Sequence, residues 1–246
     1  MADHAFTDER LAAWYDALNS GRDDLEFYLP LVLSATAVLD VGCGTGTLLG
    51  EARQAGHEGR LCGLDPAAAM LAEARRHEGV EWVLGDLLST PFRGEFDLVV
   101  MTGHAFQVLC TDEELRATLS AVRAALAPGG RFAFETRNPA ARAWERWTPE
   151  YAREITVGGE TVRMAHEAET PRDGLVRFTT TYTGAGWEDR STSVLRFTGE
   201  AELDRFLAEA GLRAVERYGD WGGGPVTADS PELITIATVV KPAVDG

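Results

Sequence analysis

Nothing constrains this chain more than the stretch Val38-Leu39-Asp40-Val41-Gly42-Cys43-Gly44-Thr45-Gly46. Ala37 to Val41 is a short, mostly apolar run, the pattern of a strand buried on both faces of a parallel sheet. Glycines follow at three alternate positions, and a helical pattern begins at Thr47-Leu48-Leu49. A strand that turns through glycines into a helix presents unpaired backbone N–H groups to a ligand, and glycine lets that ligand approach closely. The turn therefore predicts a cofactor site. A dinucleotide fingerprint would need a third glycine at position 47, where this chain has Thr47; here the third glycine is Gly46.

Asp40 followed by Gly-x-Gly-x-Gly resembles motif I of the class I S-adenosylmethionine (SAM) dependent methyltransferases. Further motifs follow in that family's order. Arg60-Leu61-Cys62-Gly63-Leu64 reads as a second strand ending in Asp65, where a carboxylate can accept both hydroxyls of an adenosine ribose. Val83-Leu84-Gly85-Asp86-Leu87 resembles the third-strand motif, whose Asp faces the adenine amine. Phe96-Asp97-Leu98-Val99-Val100-Met101 resembles the fourth strand, and Leu126-Ala127-Pro128-Gly129-Gly130 the turn into the fifth. The resemblance is strong from Val38 to Thr136. It implies an α/β fold with a Rossmann-like seven-stranded mixed sheet, and SAM as methyl donor with S-adenosylhomocysteine (SAH) as product. It also implies cofactor contacts at Asp40, Gly42, Cys43, Gly44, Gly46, Asp65, Pro66, Met70, Asp86, Leu87, Thr102 and Gly103. An N-terminal Tyr-Asp helix and the loop after it often fold over the cofactor in similar small-molecule enzymes, which adds Tyr15 and Arg22.

The first helix opens at Thr7-Asp8-Glu9-Arg10 and carries Leu11, Trp14, Tyr15 and Leu18; a second runs from Asp24 to Leu33, broken by Pro30. Pro66 to His77 forms the helix after the second strand. Thr111-Asp112-Glu113-Glu114 is a capping box. Glu200 opens a last helix that Gly211 stops, and Leu212–Tyr218 and Leu233–Val240 close the chain as an antiparallel edge hairpin.

Two loops carry the candidate chemistry. Met101 to Phe106 leaves the carboxyl end of strand four, where open α/β sheets bind ligands at a topological switch. It has neither the Asn/Asp-Pro-Pro-aromatic motif of DNA amino-methyltransferases nor the Pro-Cys nucleophile of cytosine-C5 enzymes. Its titratable group is His104, a natural proton acceptor near neutral pH. Glu135, leaving strand five, is a second base candidate that can equally pair with Arg137.

From Pro139 to Phe197 three runs alternate with period two, as half-buried antiparallel strands do. Val162, Met164, His166 and Ala168 share one face, Val176, Phe178, Thr180 and Tyr182 another, and Arg190–Phe197 forms the third run. This predicts a small antiparallel β insertion after strand five, similar to that of sugar-amine N-methyltransferases and placed as a substrate lid. Trp144, Trp147, His166 and Tyr182 are candidate substrate contacts. The expected division is 1–36 as cap helices, 37–137 with 198–241 as the SAM-binding core, and 138–197 as the lid.

Composition limits the partners. With 39 Asp and Glu against 23 Lys and Arg, the net charge is −16, which argues against a broad nucleic-acid surface. Cys43, Cys62 and Cys110 lack metal-ligand spacing and suit a reducing cytoplasm, and no apolar run reaches membrane-spanning length. The expectation is a cytoplasmic, metal-free SAM-dependent methyltransferase, a monomer or homodimer, with a small-molecule acceptor. An RNA- or protein-modifying methyltransferase and a non-catalytic SAM-binding protein are the alternatives.

Overall fold

A computed structural model describes residues 3–240. The expected domain limits at residues 1 and 241 lie outside the described residues. In chain order the elements are α1 (His4–Thr7), α2 (Glu9–Leu18), α3 (Asp23–Leu33), β1 (Ala37–Val41), α4 (Thr47–Gln54), β2 (Arg60–Asp65), α5 (Ala68–Ala74), β3 (Glu81–Leu84), β4 (Phe96–Met101), α6 (Asp112–Ala125) and β5 (Leu126–Arg137). There follow β6 (Arg153–Val157), β7 (Glu160–Ala168), β8 (Leu175–Gly184), β9 (Trp187–Arg196), α7 (Glu200–Glu209), β10 (Leu212–Tyr218) and β11 (Glu232–Val239).

Seven strands form one mixed sheet in the order β10-β11-β5-β4-β1-β2-β3. β1 pairs in parallel with both β2 and β4, so the strand order reverses at β1 and opens a crevice above its carboxyl end. β11 is antiparallel to both β5 and β10. The strands bury both faces because apolar residues occupy both. Leu39 and Val41 join Leu115, Leu119 and Val122 of α6 and Phe206 of α7 on one side. Val38 joins Tyr28 and Val32 of α3 and Leu48, Leu49 and Ala52 of α4 on the other. The capping box at Thr111 and Glu114 is formed in full.

The insertion is a separate antiparallel sheet in the order β6-β7-β8-β9. Met164 lies opposite Tyr182, His166 opposite Thr180 and Ala168 opposite Phe178, so the two expected faces merge into one. Arg172, Asp173 and Gly174 make the turn between β7 and β8, with Asp173 and Gly174 at positive φ. The sheet has four strands where the periodicity predicts three. β6 is a short edge strand joined to β7 through Gly158-Gly159; only Ile155 and Val157 turn inward, too few alternations to mark a strand in the sequence. The outermost run also begins earlier than expected, at Trp187.

Three helices depart from expectation. α1 precedes the expected first helix, which is formed as α2. α3 runs unbroken through Pro30 to Leu33, because buried Tyr28 and Val32 hold its inner face and Ser34 N–H still reaches the Pro30 carbonyl. α5 covers only Ala68–Ala74 of the expected Pro66–His77, with extended Ala67 before it and a turn after it.

α2 joins the two sheets. Leu11 and Leu18 pack with Val162, Met164 and Tyr182 of the insertion. Ala12 and Tyr15 pack with Ala67 and Met70 at the core. The insertion begins and ends at one place, since a Cβ on Gly199 would lie 3.9 Å from the Pro139 ring.

Candidate active site

The glycine turn lies at the reversal of strand order. Gly42, Gly44 and Gly46 all have positive φ. Around Gly44 the space is open, with nothing within 4 Å of where a Cβ would stand; at Gly46 a Cβ would run into the Trp82 ring. Gly44 thus leaves room for a ligand, while Gly46 lets the indole pack under the turn. Thr45 Oγ1 donates to Asp16 of α2 at 2.7 Å, tying the cap helix to the turn.

Asp65 ends β2 beside this turn. One of its oxygens accepts from Gly44 N–H at 2.9 Å and the other from Ala67 N–H at 2.8 Å, which fixes the carboxylate and leaves a lone pair on each oxygen. Asp86 lies one strand further out and is exposed; its side chain accepts from the N–H groups of Leu88 and Ser89, which hold its pKa low. Leu87 is buried in the main core, and Pro66 is exposed beside Asp65. Cys43 packs with Leu71, Ala74 and Trp82, and burial pushes its thiol well up, so it acts as a small apolar residue. Met70 is 2% exposed and serves the packing of α2 on α5.

Asp40 is the anomaly. It is 1% exposed, its Oδ1 has no hydrogen-bond partner, and burial raises its pKa to about 8 against the opposing pull of Arg22. Arg22 itself is held by Asp24 through Nε at 2.8 Å and Nη2 at 2.6 Å, and its guanidinium passes close to Gly103. Tyr15 stands near Arg22 and Asp65, its hydroxyl pKa raised chiefly by burial.

The loop after β4 turns sharply, with Gly103 and His104 both at positive φ, behind buried Thr102. Glu135 sets that turn. One oxygen accepts the His104 backbone N–H at 2.6 Å and the other the Tyr28 hydroxyl at 2.5 Å. With both oxygens engaged and no exposure, Glu135 is built to brace the loop, not to receive a proton from an acceptor, and it does not pair with Arg137. The His104 side chain stands free of that brace, its Nε2 3.0 Å from Glu232 Oε2 on β11. Burial lowers the His104 pKa to about 3, aided by Arg137, and burial raises that of Glu232 to about 7.

Of the expected acceptor contacts, Trp147 and His166 line the inner face of the insertion. Trp147 packs on Phe178 at 4.7 Å, and His166 Nδ1 lies 2.9 Å from Thr180 Oγ1. Trp144 stacks edge-on against Phe197, and Tyr182 is packed against α2, so both serve the junction between sheets. Sequence reasoning missed Gln107 and Glu232. Buried Gln107 joins three segments, donating to the Arg196 carbonyl and accepting from the backbone and Nη1 of Arg137. Nothing local in the chain marks either residue. No metal ligands were expected, yet among the described residues His4, Asp8 and Asp189 bring ligand atoms together. Arg10 already pairs with Asp189 there, and no role follows.

A sequence family described as a methyltransferase domain matches residues 38–130. The 2-phytyl-1,4-naphtoquinone methyltransferase of Thermosynechococcus vestitus is 34% identical over 61% of this chain and 71% of its own length. The cypemycin N-terminal methyltransferase of a Streptomyces species is 30% identical over 83% of each chain. The chain is a class I SAM-dependent methyltransferase. Its fold also matches that of SAM-bound CalS10, an amino pentose methyltransferase from Micromonospora echinaspora involved in calicheamicin biosynthesis. There the TM-score is 0.70 and the identity 25%, over 98% of this methyltransferase and all of the other chain. SAM is the methyl donor of this family, and the methyltransferase has a cradle that fits it. Gly44 opens on free space, and Asp40 offers an unpartnered oxygen suited to an ammonium group. Asp65 stands beside them as a fixed acceptor for hydroxyls.

Proposed function

We propose that the crevice between the two sheets transfers the methyl group of SAM to a nucleophilic O, N or C atom of a small-molecule metabolite by in-line displacement. The observation that carries this reading is the convergence of the open glycine turn, orphaned Asp40 and neutral His104 beneath the inserted sheet. SAM supplies a methyl group activated on a sulfonium sulfur. Asp65 holds the ribose hydroxyls, Asp86 and Leu87 border the adenine, and Asp40 and Arg22 take the amino-acid end. Gly42, Gly46, Pro66, Thr102 and Gly103 shape the walls, and Tyr15 closes the cradle from α2. Residues 138–197 act as the lid that excludes water and orients the acceptor, with Trp147 and His166 facing it.

His104 acts where the acceptor must lose a proton. Burial alone makes the imidazole a weak base; ionised Glu232 accepts the Nε2 proton, fixes the tautomer with Nδ1 free to receive one, and stabilises the imidazolium that then forms. An acceptor that arrives as a neutral amine needs only positioning. The relatives support small-molecule acceptors, since their names specify a phytyl naphthoquinone and an amino pentose. The relative named for N-terminal methylation of cypemycin favours a second reading, an amino terminus as acceptor. No helix among the described residues is long and apolar enough to cross a membrane, and the free thiols fit a reducing compartment such as the cytoplasm.

Purified protein incubated with methyl-labelled SAM and an extract of its native cells tests the proposal. Label in small, protease- and nuclease-resistant products is the expected result; label confined to protein or RNA would overturn it. At the donor end, Asp65→Ala should weaken SAM binding more than about tenfold, measured by calorimetry. Unchanged affinity would remove Asp65 from the cofactor site.

A further inference from the structure

Arg137 ends β5 inside the crevice, in a chain with 39 acidic residues for 23 basic ones. A guanidinium in such surroundings is expected to hold a carboxylate. Among the described residues it forms no ion pair. Glu232, its direct cross-strand neighbour, turns to His104, and Glu135 is engaged by Tyr28 and the His104 N–H. Its side-chain partner is instead the neutral Gln107, which accepts from Nη1 at 2.9 Å. The Trp147 ring lies 5.3 Å from the guanidinium, with Phe178 and then His166 beyond it. Nε and Nη2 donate to no described residue, and the side chain is half-buried. Two adjacent donors of a planar guanidinium form a fork that matches the oxygens of a carboxylate or phosphate.

We propose that Arg137 is the anion subsite of the acceptor pocket, and that the molecule methylated here carries a carboxylate or phosphate group that docks on Nε and Nη2 beside Trp147. The inference rests on the small-molecule reading above and narrows it to anionic acceptors. Gln107 is its positioning residue, holding Nη1 so that the other two donors point into the crevice.

The test is titration of inorganic phosphate, and separately of acetate, into SAH-saturated protein. Tighter binding of one identifies which group the acceptor bears. Wild type should bind at least one of them. Arg137→Gln should bind it about tenfold more weakly or not at all, and Arg137→Lys should fall between, keeping charge without the fork. SAH affinity, which also reports folding, should be the same in all three. Labelled product from the extract experiment should be retained on an anion exchanger at neutral pH. Equal anion binding by wild type and Arg137→Gln would overturn the proposal. So would a fall in SAH affinity in Arg137→Gln, which would assign Arg137 to the donor. A labelled small product that passes the exchanger would end the anion proposal and leave the small-molecule reading standing. Label found only in macromolecules would end both.

Discussion

His104 and Glu232 share one hydrogen bond, and burial moves their titrations in opposite directions, to about 3 and about 7. Through the neutral range the imidazole therefore stays uncharged, and the carboxylate is the group that changes state. Methyl transfer to a hydroxyl acceptor should rise with pH through about 7 as Glu232 ionises, and Glu232→Gln should flatten that rise. His104→Ala should slow the chemical step about a hundredfold or more at saturating SAM, with SAH affinity retained. Rapid-quench kinetics across pH checks both; a loss of SAH affinity alone would make His104 an adenosine contact. Asp40 gives a stability prediction. Its pKa rises from 3.8 unfolded to about 8 folded, so the native protein binds the extra proton, and stability is lost as pH rises through about 8. Asp40→Asn should make the ligand-free protein more stable at pH 9, by about 1–3 kcal/mol, while weakening SAM binding. Urea denaturation at pH 5 and pH 9 measures the difference.

Among the elements, the bond between Tyr28 on α3 and Glu135 on β5 matters most, because the same carboxylate holds the backbone of the loop after β4. Tyr28→Phe keeps the ring and removes one donor, leaving a buried oxygen unpaired. It should destabilise the protein by about 1–3 kcal/mol in equilibrium denaturation; no change would mean that water replaces the hydroxyl. This brace joins residues 107 positions apart, and neither carries a local mark of the other. The capping box of α6, by contrast, spans four consecutive residues and could be read directly. Pro30 illustrates the converse error. Its local signal to break a helix is real, but the burial of Tyr28 and Val32 in α3 outweighs one lost backbone donor.

For the whole molecule, α2 makes two sheets into one enzyme. One side of it packs under the insertion and the other against α5, while Asp16 grips the glycine turn. Truncation at Leu11, 1% exposed within the first of these clusters, should cost about 2–5 kcal/mol of stability. Denaturant titration of Leu11→Ala checks it, and a shift well below that range would mean that the insertion holds without the helix.

The seven-stranded sheet, the glycine turn, Asp65, the capping box and the inner face of β7 and β8 were all legible in the chain. Each rests on the spacing of a few neighbouring residues, and spacing alone decides which of them share a face or need a positive φ. What happens at the crevice was not legible in the same way. His104 meets Glu232 across 128 positions, and Gln107 reaches both Arg137 and Arg196. The protonation of Asp40 and the lack of an ion pair at Arg137 among the described residues depend on what surrounds them. Hydrogen bonding and desolvation act through space at a few ångströms, so only the folded chain determines which carboxylate stays free, which is braced and which group can take a proton.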